Sequence, residues 1–111
     1  MTLADVRDIL RAEILWANDL TTVVESVGAA DLMSDVLALS RPGMLLLSGL
    51  LSVQTIRTAA VADLIGVVFV RGKIPDSQIV RAAEEAGVPI MSTAFTMFEA
   101  SGLLYCALNR R

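Results

Sequence analysis

MLLLSGLLSVQTIRTAAVADLIGVVFV, residues 44–70, decides the fold. Met44–Leu47 and Gly66–Val70 are unbroken apolar runs of strand length, and neither alternates with polar residues. Strands of that kind are covered on both faces, as in a parallel sheet. Between them, Ser52–Asp63 carries Val53, Ile56, Ala60 and Leu64 on one face at helical spacing. The stretch therefore reads as strand, helix, strand, and the rhythm continues outward.

Downstream, Pro75-Asp76 opens a helix that turns Ile79, Val80, Ala83 and Ala86 inward, and Gly87 closes it. Val88–Ser92 is the third strand of the series. Thr96-Met97-Phe98-Glu99 has the form of a capping box and starts a final helix to about Asn109. Upstream, Thr2 caps an amphipathic helix over residues 2–11, with Leu3, Val6, Ile9 and Leu10 at helical spacing. Glu13–Trp16 and Val23–Ala30 read as strands on either side of an Asn18-Asp19 turn. Asp31–Leu39 is a short helix capped by Asp31 or Ser34, ended by Arg41-Pro42-Gly43. The fold class is α/β: a single domain over residues 1–111, with a mixed, mostly parallel sheet flanked by helices.

The chain has 111 residues, room for one domain. Its hydrophobic fraction of 55% and mean hydropathy of +0.66 exceed what a small monomer can bury, which predicts a homodimer interface. The longest uncharged run, Pro42–Ile56, contains a proline, glycines and hydroxyls and is too short to span a bilayer. The opening residues lack the basic-then-apolar pattern of a secretion signal, so a cytoplasmic location is expected. With no histidine and one cysteine, there is no Ser-His or Cys-His pair, no metal cluster of those residues and no disulfide. No catalytic residue, metal or cofactor is assigned. A net charge of −3 argues against nucleic acid as a partner.

Ligands gather at the carboxyl ends of parallel strands, where loops and helix N-termini present free backbone donors. Three segments are predicted to meet there: Ser48-Gly49, Arg71-Gly72-Lys73 and Ser92-Thr93. They bring hydroxyls, two cations and two glycines, a plausible anion or phosphate site. Each piece also has a purely structural reading, the glycines as turn residues, the cations as solvated charges and the hydroxyls as backbone caps. No G-x-x-x-x-G-K-[ST] loop is present. A second polar group, Asp31, Ser34 and Asp35, places two carboxylates one helical turn apart. It reads either as an N-cap with a solvated acid or as a divalent-metal site. Cys106, amid Leu103, Leu104, Tyr105 and Leu108, is expected to be buried and unreactive, and Trp16 to pack.

Asp31–Leu37, Arg41–Gly49 and Val67–Pro75, with Ala86–Thr93 and Thr96–Ala100 closing the order, resemble the DRTGG domain family. More distantly they resemble the N-terminal domain of bacterial HPr kinase/phosphorylase. The resemblance covers nearly the whole chain and implies an α/β fold. It further implies a regulatory or assembly module, sensing a ligand or forming homodimers beside other modules, without kinase activity. Where typical relatives carry Gly-Asp-Arg and Thr-Gly-Gly, this chain has Gly49-Leu50-Leu51 and Arg71-Gly72-Lys73, so individual ligand contacts do not transfer.

The functional expectation is a non-catalytic regulatory domain, homodimeric, binding a small anionic metabolite or an adenine nucleotide or other phosphorylated molecule. The alternatives are a subunit that docks a larger enzyme without a ligand, and a metal-assisted hydrolase using Asp31 and Asp35.

Overall fold

A computed structural model describes residues 1–110. The chain runs α1 (Leu3–Leu10), β1 (Glu13–Trp16), β2 (Ser26–Ala29), α2 (Met33–Leu39), β3 (Met44–Ser48), α3 (Val53–Val61), β4 (Gly66–Phe69), α4 (Ser77–Ala86), β5 (Ile90–Ser92) and α5 (Met97–Leu108). The five strands form one sheet in the order β1-β5-β4-β3-β2. β2 to β5 are mutually parallel, and β1 closes the far edge antiparallel to β5.

Each crossover from β2 to β5 advances one strand in the same direction. Crossovers of uniform hand then leave all three connecting helices on one face of the sheet. The packing agrees: Met33 and Val36 of α2, Ile56 and Ala59 of α3, and Ile79 and Ala83 of α4 join one core with Met44, Leu46, Val67, Phe69 and Ile90. The intervening residues Leu45, Leu47, Val68 and Met91 point the other way, into a second core with Leu3, Val6 and Leu10 of α1 and Ala100 and Leu104 of α5. The strand period of two thus distributes the apolar runs between two layers of helix, which is why they show no polar alternation.

Some boundaries and faces differ from the sequence reading. β2 is shorter than Val23–Ala30 because the chain before it serves α1: Val23 bridges Thr2, and the Val24 N–H donates to the Met1 carbonyl at 2.8 Å. In α3 the inward residue is Ala59, while Ala60 is exposed. In α4, Ile79 and Ala83 are buried but Ala86 faces solvent. The expected caps of α1 and α5 are formed, Asp76 and Gly87 bound α4 as expected, Ser52 also caps α3, and Trp16 packs half-buried against the first core. Cys106 is exposed and not buried, because α5 seats Ala100 and Leu104 on the sheet and turns the cysteine outward.

Candidate functional site

β3, β4 and β5 are parallel and end together, at Ser48, Phe69 and Ser92. Their following loops converge as the sequence suggested. After β4, Arg71 and Gly72 both adopt positive φ, +62° and +69°. The Lys73 N–H points back to the Val70 carbonyl, which makes residues 70–73 a tight turn of the kind that requires positive φ at both central positions. Gly72 takes that conformation without strain. Arg71 does so at a cost of about 1 kcal/mol. The turn is tied to the loop after β5 by the Arg71 N–H to Phe95 and the Gly72 N–H to Thr93, each at 2.8 Å.

Gly49 is the centre of the cluster. Its N–H donates to Asp31 Oδ1 at 2.6 Å, and its carbonyl accepts from Lys73 Nζ at 2.6 Å. A Cβ at this position would lie 3.1 Å from Arg71 Nη2 and 3.4 Å from Asp31 Oδ1. Three charged side chains from three loops therefore surround one small buried residue, and the absent side chain makes room for them. Among the described residues Arg71 has no carboxylate within 4.0 Å, and its side chain is on the surface. The cluster thus offers one uncommitted guanidinium beside an ammonium fixed on a backbone carbonyl.

The three hydroxyls face inward. Ser48 Oγ donates to Asp31 Oδ1 at 3.3 Å and accepts the Leu50 N–H at 3.1 Å. Ser92 Oγ donates to the Lys73 carbonyl at 2.7 Å, and Thr93 Oγ1 to the Leu10 carbonyl at 2.7 Å. All three residues are buried. A hydroxyl has one proton to donate, so these three hold the loops in place and have no proton left for a ligand.

Asp31 belongs to this cluster and not to a separate one. α2 begins at Met33 with Leu32 as its N-cap and no side-chain cap bond, so neither Asp31 nor Ser34 caps it. The Asp31 carboxylate instead satisfies the free peptide N–H at the end of β3, a stronger charge-assisted bond. Asp31 lies outside the helix, the one-turn pairing with Asp35 does not form, and Ser34 and Asp35 are exposed. No local signal reveals the Asp31–Gly49 contact, which joins residues 18 apart in sequence.

No protein-family model matches the chain, and no curated protein does. A solved structure does: the crystal structure of the CBS and DRTGG domains of the regulatory region of Clostridium perfringens pyrophosphatase, complexed with activator, diadenosine tetraphosphate. The likeness has a TM-score of 0.78 at 18% identity and covers 93% of this chain but 45% of that one. This chain thus spans under half of its structural neighbour. The likeness is one of fold: the same α/β architecture at low sequence identity. No helix among the described residues is long and apolar enough to cross a membrane.

Proposed function

We propose that this domain is a non-catalytic regulatory module, working as a homodimer, that binds a small anionic metabolite or nucleotide over the loops after β3 and β4. The observation that carries this reading is Arg71, held in a strained left-handed conformation with its guanidinium beside the backbone of Gly49. Strain of that kind persists where the surrounding structure imposes it and clusters at binding sites. Arg71 and Lys73 supply the charge, Gly49 and Gly72 allow close approach, and Ser48, Ser92 and Thr93 fix the loops. The ligand class we favour is an adenine nucleotide, since the structural neighbour was crystallised with diadenosine tetraphosphate. The site of action is the cytoplasm.

A thermal-shift screen against adenine and guanine nucleotides, dinucleoside polyphosphates and sugar phosphates tests this reading. A ligand that binds only the folded state stabilises it by about 2.7 kcal/mol at 100 times its dissociation constant. The expected result is a shift that vanishes in the Arg71→Ala, Lys73→Ala double variant. A flat screen rejects the ligand-binding role.

A second reading, docking on a larger enzyme, is favoured by Leu32, Leu37 and Leu39, all exposed on and beside α2. It is supported by a co-purifying partner whose binding ignores the Arg71 and Lys73 variants.

A further inference from the structure

α5 is apolar almost all the way round. It carries no Lys or Arg, and its one carboxylate, Glu99, is committed to the capping box with Thr96. A helix of that kind normally has protein on every side. Here only Ala100 and Leu104 are buried, while Phe98 is 87% exposed, Tyr105 70% and Leu103 40%.

Gly102 lies near the middle of this outward face. Glycine in a helix interior is destabilising relative to alanine, yet nothing within the chain calls for it: its φ is not positive, and a Cβ there would meet no atom within 4 Å. Phe98 stands one turn before it and Cys106 one turn after, on the same face. Phe95, Phe98, Glu99, Gly102, Leu103 and Cys106 line an open depression of about 460 Å³ with the bare glycine backbone among its walls. A glycine flanked by apolar side chains suits a point where another backbone comes close.

We infer that this face is where two copies of the chain meet, their α5 helices crossing antiparallel at Gly102. The inference rests on the homodimeric reading above and names its interface. Three observations favour a second copy as the occupant. The face is self-complementary: with a two-fold axis at Gly102, position 98 of each helix lies opposite position 106 of the other, so each Phe98 ring enters the opposing depression. The one carboxylate on this face, Glu99, lies opposite position 105 of the other helix under that axis, so no two like charges meet across it. The area suffices as well. At roughly 200 Å² for an exposed aromatic side chain, Phe98 and Tyr105 offer about 300 Å², and the whole face on the order of 500 Å². Two copies then bury about 1,000 Å², the lower edge for a specific interface.

Sedimentation velocity on the full chain from about 1 µM to a few hundred µM tests the proposal, with circular dichroism confirming that each variant is folded. The wild type is expected to dimerise across that range, and Phe98→Asp to stay monomeric with an unchanged spectrum. Gly102→Ala separates the interface from mere helix stability. It is expected to raise the melting temperature of the dilute monomer while weakening the dimer about tenfold or more. Cys106 is expected to react with a thiol reagent faster on dilution, as the dimer opens. A dimer that survives both substitutions at wild-type strength overturns this interface and leaves the homodimeric reading standing. A wild-type chain that stays monomeric throughout overturns both, whatever other protein covers the face.

Discussion

Lys73 Nζ donates to the Gly49 carbonyl at 2.6 Å, bridging 24 residues of sequence and two loops of the sheet edge. The same peptide group is held at its N–H by Asp31. An ammonium and a carboxylate thus fix the end of β3 from two sides, and the second cation, Arg71, is left without an ionic partner among the described residues.

Removing the carboxylate separates its two effects. Asp31→Ala frees the Gly49 N–H and is expected to destabilise the domain by about 1–2 kcal/mol, with faster hydrogen exchange at Gly49 and Leu50. It also takes a negative charge away from the cations, so affinity for phosphorylated ligands is expected to rise about threefold or more. Calorimetric titration and exchange on the same sample check both.

Arg71→Gly relieves the left-handed backbone while deleting the guanidinium. Melting temperature is expected to hold or rise, by up to about 1 kcal/mol in stability, while ligand-induced stabilisation is lost. Loss of both together would make Arg71 a structural residue.

Thr93 illustrates the opposite balance. Its hydroxyl joins the loop after β5 to the end of α1 through the Leu10 carbonyl. Thr93→Val keeps the shape and leaves a buried acceptor unpaired, at a cost of about 1–3 kcal/mol. Denaturant unfolding is expected to show that loss with ligand affinity unchanged.

The fold is legible in the sequence where one pattern dominates and ambiguous where two compete. β3, β4 and β5 are legible because four- and five-residue apolar runs admit few other solutions, and the convergence of their loops follows from parallel topology. Asp31 is ambiguous because an aspartate two residues before a helix looks like a cap, and the competing Gly49 N–H appears only after β2 and β3 pair. The hydroxyls of Ser48, Ser92 and Thr93 look identical in sequence whether they face a ligand or a carbonyl. Cys106 is ambiguous for a related reason: in a helix apolar all round, sequence does not say which side meets the sheet.

The capping carboxylates set an acid limit. Backbone and hydroxyl donation from Thr2 holds Asp5 below its ordinary pKa, and donation from Thr96 does the same for Glu99. A depressed native pKa gives stability that is present above the ordinary value of about 4 and is lost as pH falls below it. Glu99→Gln keeps a side-chain acceptor for the capping box without the titration. Its melting temperature is expected to fall less than the wild type's between pH 5 and about 2.5.

Ser26 Oγ is buried with no hydrogen-bond partner among the described residues. Ser26→Ala removes that unpaired group, and a gain of about 1 kcal/mol in chemical denaturation is expected.

The position of β1 governs the order in which the molecule can assemble. From β2 to β5 each strand pairs with the one before it in sequence, across a single helix. β1 instead waits for β5, with Glu13 opposite Ser92, and Thr93 clasps Leu10 across 83 residues. Closing so long a loop is slow and entropically costly before its contacts form. α1 has local partners, since Leu3 and Ala4 donate to Thr22 and Leu20, but β1 gains its ladder only once β5 is in place. A strand whose sole ladder partner comes from the far end of the chain is one that β5 of a neighbouring copy can pair instead at high concentration.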